Sequence, residues 1–411
     1  MSFPPRWSVP ATTRPCSSIN LYTEVTMKTR MIFSCLCLFL IPALTSFAAD
    51  RGKTSSDSDL RIGQMIMAGF RGTAISPKHH IYQDIRKYDL GGVILFDYDL
   101  ESGEYGRNIT GKEQLKRLCT RLQKVKNTKL IIAVDQEGGK VRRLKEKTGF
   151  PPLPSAEEMG KKGPKYTYRQ GEKTGKMLSE MGINLDFAPV ADVNVNPQCP
   201  VIGKLKRSFS EDPKKVAANC RAFISGLNEH GVAGCLKHFP GHGSSKADSH
   251  MGIADVTKTW SEAELYPYSE LINTPLVFSI MPGHVFNARL DEKYPASLSS
   301  STLSILRDKL GYEGVIITDD LQMKAIADHF GLKTTILKTI EAGSDILLFG
   351  NNIDYDPGIA TKAIQIINDL IREGKLSRER IETSLKRIEK FKSRLGGPAS
   401  CTNRGKNHPA N

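Results

Sequence analysis

The sequence predicts an α/β protein built as a single (β/α)8 barrel of the TIM type. Eight short apolar runs recur along the chain, and Gly, Asp or Pro bound them. Their length and their β-branched content are typical of strands that are buried on both faces. The runs lie at residues 64–70, 92–96, 130–135, 184–188, 233–237, 276–281, 314–319 and 345–349. A doubly wound open sheet is the alternative that the same pattern allows.

Amphipathic stretches separate the runs and predict helices at residues 112–126, 166–181, 213–230, 261–271 and 299–310. Asp212 before Pro213 is a helix-start signal. Two further helices are predicted after the eighth run, at 357–373 and 377–395. The predicted organisation is a leader at 1–50, a barrel at 51–395 and a disordered tail at 396–411, where no hydrophobic period is found.

The composition excludes several classes of protein. Hydrophobic residues make up 39% of the 411 residues and charged residues 25%, as in ordinary globular proteins and unlike disordered chains or multi-span membrane proteins. A net charge of +14 is explained more simply by a solvated basic surface than by an anionic partner. Basic runs with interleaved aromatic residues are absent from the sequence, so no nucleic-acid partner is predicted. The eight cysteines contain no CxxC pair and predict no disulfide framework.

The first fifty residues are typical of a targeting segment. Lys28 and Arg30 precede an apolar stretch at 31–43, and Ser46 and Ala48 supply the small residues of a cleavage site. We therefore expect a signal peptide that is cleaved after Ala48, with translation starting at Met1 or Met27. The mature protein would then be periplasmic or extracellular and would lack a membrane span. A leader without an export role, and hence a cytoplasmic protein, is the alternative.

Polar residues directly after the third and fourth runs are candidates for a site, because barrel chemistry is carried at the carboxyl ends of the strands. The third run leads into Asp135 and the turn Gln-Glu-Gly-Gly, followed by Arg143. A carboxylate there can bind two sugar hydroxyls, and an arginine can bind an acyl oxygen. A capped turn with exposed basic residues explains the same residues equally well. Asp186, within the fourth run, and Asp192, shortly after it, are more often structural.

The segment after the fifth run, residues 237–250, contains three histidines in a Gly-rich loop. One interpretation is a metal site, since imidazole and carboxylate suit zinc. Another is acid/base chemistry: Asp248 and His250 are two residues apart, so both side chains can point the same way. The seventh run ends at Asp319, and an acid at this position suits a nucleophile or a substrate ligand.

Three of these segments together resemble the bacterial glycoside hydrolase family 3 β-N-acetylglucosaminidases: residues 135–139, 237–250 and the sequence Thr-Asp-Asp-Leu-Gln-Met at 318–323. The resemblance covers about residues 60–395. It implies a (β/α)8 barrel without bound metal or cofactor. It also implies a retaining reaction that releases N-acetylglucosamine from peptidoglycan fragments or chitooligosaccharides.

The resemblance also implies a role for individual residues. Asp319 matches the nucleophile, and His250, paired with Asp248, matches the general acid/base. Five residues match ligands of the bound sugar: Asp135, Arg143, Arg207, Lys237 and His238. The implied partner is an amino-sugar oligosaccharide, and a monomer is the favoured oligomeric state.

Three other functions stay open from the sequence. The first is another family 3 activity, a β-glucosidase or an N-acetylglucosaminide phosphorylase. The second is a zinc hydrolase that uses His238, His242, Asp248 and His250. The third is a barrel that binds glycans without cleaving them.

Overall fold

Eight parallel strands form the central sheet of the computed structural model, which describes residues 60–247 and 252–396. They are β1 (Ile66–Gly69), β2 (Gly92–Ile94), β3 (Ile131–Val134), β4 (Leu185–Asp186), β5 (Ala233–Phe239), β6 (Ser279–Pro282), β7 (Val315–Ile316) and β8 (Leu347–Phe349). Their order across the sheet is β7-β6-β5-β4-β3-β2-β1-β8. A parallel bridge between Ile317 and Ile346 joins the two ends. The sheet is therefore closed, which confirms the predicted barrel and rules out the open doubly wound sheet.

Each predicted apolar run contains one strand, although the bounds differ. The sequence places the end of the fifth run at Lys237, but β5 continues to Phe239. Lys237 and Phe239 pair with Met281 and Pro282 of β6, so a polar residue does not end this strand. The first predicted run begins at residue 64, but β1 begins only at Ile66, because Ile62–Met65 form a 3-10 turn. Three short strand pairs lie outside the barrel: Tyr98–Asp99 with Glu104–Tyr105, Gln136–Gly138 with Val141–Arg142, and Ala254–Asp255 with Val285–Phe286.

The helices that surround the sheet are α1 (His80–Tyr88), α2 (Lys112–Gln123), α3 (Ala156–Lys162), α4 (Pro164–Met181), α5 (Pro213–Asn228), α6 (Tyr266–Ile272), α7 (Ser300–Ser304), α8 (Lys324–Ala327), α9 (Leu332–Ala342), α10 (Ile359–Arg372) and α11 (Arg378–Arg394). The segment predicted at 261–271 begins as a 3-10 turn, Glu262–Leu265, and the segment at 299–310 ends as a π-helical turn, Ile305–Lys309. Asp212 caps α5 as expected, because its carboxylate accepts a hydrogen bond from the Lys214 amide.

A buried carboxylate stabilises the seam between β7 and β8. Asp345 is fully buried, and its Oδ2 accepts hydrogen bonds from the Ile316 amide at 3.0 Å and from Arg307 at 2.6 Å. Its Oδ1 accepts from Ser384 of α11 at 2.8 Å. Removing one partner of such a buried pair costs about 3–5 kcal/mol. These contacts tie the chain together three residues before the acid pair Asp319 and Asp320.

Among the helices of the described residues, none is long and apolar enough to cross a membrane. The predicted leader and cleavage site lie outside the described residues, as do residues 397–411 of the predicted tail. Gly396 is the last described residue, and its amide donates to the Gly231 carbonyl at 3.0 Å. The leader and the tail therefore remain predictions.

Candidate active site

A cavity of about 330 Å³ lies at the carboxyl ends of the strands. Six of the eight site residues that the sequence predicts line this cavity: Asp135, Arg143, Arg207, Lys237, His238 and Asp319. The other two, Asp248 and His250, lie outside the described residues. The structure thus gathers residues that are up to 184 positions apart (135 to 319) around one volume.

Asp135, the residue after β3, is held by two cations. Lys237 Nζ lies 2.9 Å from its Oδ1, and Arg143 Nη2 lies 3.0 Å from its Oδ2. Burial alone would raise the pKa of Asp135, but Lys237 and Arg143 outweigh burial and hold this pKa well below its usual range. The group is therefore a fixed anion that can accept hydrogen bonds from sugar hydroxyls.

Glu137 lines the cavity and belongs to the charged cluster, although it is not among the site residues predicted from the sequence. Its carboxylate accepts hydrogen bonds from Arg207 Nε at 2.7 Å and Arg207 Nη2 at 2.8 Å. Lys237 Nζ lies 2.6 Å from its Oε1. Burial opposes ionisation, but Arg207 and Lys237 together lower the pKa of Glu137. Glu137 and Asp135 are two residues apart in an extended segment, so they point the same way, and this spacing was the available signal.

Three groups hold the Arg207 side chain beside the cavity: the Glu137 carboxylate, a backbone carbonyl and His238. Beyond its paired bonds to Glu137, it donates through Nη1 to the Val201 carbonyl at 2.9 Å. Its Nη2 also lies 3.4 Å from His238 Nε2. Arg207 is nearly buried and still lines the cavity, so it shapes the site through Glu137 and His238 as well as by facing the cavity itself.

Gln136 fixes the turn that carries these charges. Its side-chain oxygen accepts hydrogen bonds from the amides of Arg143 and Leu144, both at 3.0 Å. The backbone amide of Gln136 donates to Asp186 Oδ1 at 2.9 Å. Gly138 follows with a φ of +103°, and a Cβ there would lie 2.1 Å from the Pro154 carbonyl oxygen. Only glycine fits this position, because any side chain would collide with the Pro154 backbone.

Asp186 and Asp192 have structural contacts, as the sequence analysis favoured. Asp186 is fully buried beneath the cluster, and burial raises its pKa to about 8. Asp192 Oδ1 accepts from the amides of His238 at 3.2 Å and His242 at 2.8 Å, and its Oδ2 lies 2.7 Å from His238 Nδ1. Because a carboxylate accepts, Nδ1 of His238 carries the proton, which leaves Nε2 to face Arg207 and the cavity.

The neighbouring acids Asp319 and Asp320 differ in their surroundings. Asp320 Oδ1 accepts from the amides of Gln322 at 3.0 Å and Gly350 at 2.8 Å, and its carbonyl accepts from His284 at 2.9 Å. Asp319 Oδ1 accepts from the Asp320 amide at 2.8 Å. Both acids line the cavity, but Asp320 also ties the end of β7 to the end of β8. Asp320 therefore has a structural part at the end of β7, and Asp319 is the acid that the resemblance matches to the nucleophile.

A metal site was one interpretation of the histidine loop. Within residues 60–247 and 252–396, no three His, Cys, Asp or Glu side chains are grouped closely enough to hold a metal ion. The zinc hypothesis also needs Asp248 and His250, which lie outside those ranges, so it stays untested.

Burial lowers the pKa of His242 to about 4, so this cavity-lining imidazole is neutral near pH 7.

The acid at the end of β7 and the charged cluster at β3 and β5 lie at the carboxyl ends of the strands, where enzymes of this fold carry their chemistry. The sequence profile of the glycosyl hydrolase family 3 N-terminal domain matches residues 58–391. The chain belongs to this family, which confirms the resemblance found in the sequence.

Curated relatives and solved structures agree with this assignment. The chain is 32% identical over 391 residues to beta-hexosaminidase A of Pseudoalteromonas piscicida, covering 86% of this chain and 64% of the relative. It is 38% identical over 275 residues to a beta-hexosaminidase of Tolumonas auensis, covering 65% and 78%. A family 3 beta-N-acetylglucosaminidase from Paenibacillus superposes with a TM-score of 0.75 at 32% identity, covering 85% of this chain and 65% of that one. The chain therefore spans slightly less than two thirds of the Pseudoalteromonas and Paenibacillus proteins.

Proposed function

We propose that this protein is a retaining β-N-acetylhexosaminidase that releases terminal β-linked N-acetylglucosamine. The observation that carries the proposal is the placement of Asp319 in the same cavity as the paired charges of Asp135, Glu137, Lys237 and Arg143. Membership of family 3 and the beta-hexosaminidase names of its relatives support the same activity. The charged cluster provides sugar recognition, and Asp319 provides the reacting carboxylate.

The proposed reaction has two steps. In the first, an oxygen of Asp319 forms a bond to C1 of the sugar, the glycosidic bond breaks, and the leaving oxygen takes a proton from His250. In the second, water attacks C1, His250 takes the water proton, and the bond to Asp319 breaks. Two inversions give net retention. Asp248 is proposed to hold the tautomer of His250.

Sugar recognition is expected to depend on Arg143. Hydrogen bonds to charged groups are worth about 1.5–3 kcal/mol each, so Arg143→Ala should lower kcat/KM for an aryl N-acetylglucosaminide by about 10- to 100-fold. Arg142→Ala is the matched control, because Arg142 pairs with Glu146 (2.8 Å) and does not line the cavity. Steady-state kinetics of both variants measure the difference. Equal loss in both, or equal wild-type efficiency on glucosides and N-acetylglucosaminides, would contradict this recognition.

The natural substrate is proposed to be a peptidoglycan fragment or a chitooligosaccharide. Product analysis on purified muropeptides and on chitobiose, with and without phosphate, tests sugar specificity, bond type and the role of water together. Free N-acetylglucosamine in both conditions supports hydrolysis. N-acetylglucosamine 1-phosphate in the presence of phosphate would identify a phosphorylase instead, and cleavage of chitobiose alone would restrict the substrate class.

We also propose that the protein acts outside the cytoplasm, on muropeptides released during wall turnover. The basis is the sequence of the leader: Lys28, Arg30, the apolar stretch at 31–43, and Ser46 and Ala48. N-terminal sequencing of natively produced protein should return a chain that starts at Ala49. An intact leader on the active protein would contradict export by this route.

A further inference from the structure

One exposed apolar side chain stands out at the mouth of the cavity. Four large hydrophobic residues are exposed among the described residues: Leu100 (57%), Tyr105 (61%), Val195 (47%) and Ile253 (37%). Of these four, only Leu100 lines the cavity. It follows Tyr98–Asp99 in the hairpin that extends from β2. Its high exposure places it at the opening rather than at the closed end.

The loop that follows β8 holds Leu100 in place. The Leu100 amide donates to Asn352 Oδ1 at 3.1 Å, and Asn352 Nδ2 donates to the Tyr98 carbonyl at 3.1 Å. Asn352 is buried and belongs to the loop that follows β8. The Asn352 side chain thus forms hydrogen bonds to the backbone of both Leu100 and Tyr98.

Charged groups fix the same hairpin a second time. Asp99 accepts hydrogen bonds from Arg71 at 2.8 Å and from the buried Arg107, and the Ser102 amide donates to it at 3.0 Å. Arg107 also donates to the Asn351 carbonyl, next to Asn352. An exposed leucine on such a supported hairpin is preorganised, so a ligand that packs on it pays little ordering entropy.

We propose that Leu100, together with Ile353 of the loop after β8, forms a leaving-group subsite that packs against the apolar face of a second pyranose ring. This inference rests on the proposed glycosidase function. The residues proposed to bind the terminal sugar lie in β5 or follow β3 and β4, and they are more buried than Leu100. Leu100 and Ile353 line the same cavity from the loops after β2 and β8. A pocket that is closed at its base holds the terminal sugar there, so the leaving group extends to the mouth.

A sugar is the occupant that this surface fits, rather than a protein partner. Leu100 is flanked on the hairpin by Glu101 and by Glu104, which are exposed. Leu100 and Tyr105, the two exposed large apolar residues of this hairpin, expose less apolar surface than the patches of several hundred Å² that mark protein interfaces. The C–H face of a pyranose needs only one or two apolar side chains, and their burial favours binding by the usual hydrophobic gain.

The test compares two substrates that share the terminal sugar. Chitobiose has a pyranose leaving group that reaches the mouth, whereas N-acetylglucosaminyl fluoride has a leaving group too small to reach it. Leu100→Ala should lower the ratio of kcat/KM for chitobiose to kcat/KM for the fluoride by about tenfold, in the range known for lost apolar contacts. Asn352→Ala should lower the same ratio, because the hairpin loses its two hydrogen bonds to the Asn352 side chain. Val195→Ala, an exposed apolar residue away from the cavity, should leave the ratio unchanged.

The outcomes separate the subsite from the function. A ratio that Leu100→Ala leaves unchanged, whether both substrates are affected equally or neither is, would overturn the subsite and leave the glycosidase proposal standing. A wild-type protein that turns over neither substrate would instead overturn the proposed function. Circular dichroism of each variant should match the wild type, since Leu100 is exposed and its removal leaves the core intact.

Discussion

Replacement of Asp319 by alanine should abolish turnover, with kcat lowered by about 10⁴-fold or more, because no covalent intermediate can form without the carboxylate. The fold should survive, since Asp319 is only partly buried and the adjacent seam depends on Asp345 and Asp320. Azide offers a positive readout for Asp319→Ala. A small anion that enters the vacated space attacks C1 from the face that Asp319 used, so the product should be the inverted α-glycosyl azide.

Asp320→Ala is the informative comparison for Asp319→Ala. Asp320 accepts from the Gln322 and Gly350 amides, so its loss should loosen the turn and lower the melting temperature while leaving measurable turnover. Mechanism-based labelling with a 2-deoxy-2-fluoro or 5-fluoro sugar, followed by peptide mapping, identifies the nucleophile directly. The label should be on Asp319. A label on Asp320 or on Glu137 would contradict the assignment.

The sequence predicted the barrel and much of the site because both depend on local patterns. Buried parallel strands are short apolar runs, and residues directly after such runs collect at one end of the barrel. Asp135 and Asp319 were found in this way, whereas Lys237 was assigned from the family resemblance. The helix bounds were less accurate where packing changes the local geometry, as in the 3-10 turn before α6.

Contacts between residues that are distant in the chain could not be predicted from a single sequence. Arg207 and Glu137 are 70 residues apart, and Leu100 and Asn352 are 252 apart. Neither pair has a local signal, because each partner alone is an ordinary polar or apolar residue. The structure was therefore needed to show that Glu137 is ion-paired and that the β2 hairpin is fixed by the β8 loop.

The ion pairs of Glu137 bear on the identity of the general acid. Glu137 is the other acid beside the site that could fill this role, and a general acid must carry a proton at working pH. Arg207 and Lys237 hold Glu137 ionised and lower its pKa, so it is a poor proton donor near neutrality. An imidazole with an ordinary pKa of about 6.5 suits proton transfer there without burial. The ion pairs of Glu137 therefore favour His250 as the general acid, and His250 itself lies outside the described residues.

His250→Ala should therefore show a loss of activity that depends on the leaving group. General acid catalysis is worth about 10²–10⁴-fold, and it matters most for a poor leaving group. For chitobiose, kcat/KM should fall by about that factor. For a nitrophenyl N-acetylglucosaminide, kcat/KM should fall far less, because nitrophenolate departs without a proton and kcat/KM reports the glycosylation step. Asp248→Ala should show a weaker form of this pattern, and Glu137→Gln should lose activity on both substrates alike.

The pH dependence distinguishes His250 from a second titrating group near the site. A general acid must be protonated, so kcat/KM for chitobiose should decline as pH rises above its pKa, and this alkaline limb should vanish for the nitrophenyl substrate. Asp186, with a pKa of about 8, ionises in a similar range and would add negative charge beside Asp135 and Glu137. A limb caused by Asp186 would appear with both substrates and would be absent in Asp186→Asn. If the limb behaves in that way, or if Glu137→Gln alone shows the leaving-group dependence, His250 is not the general acid.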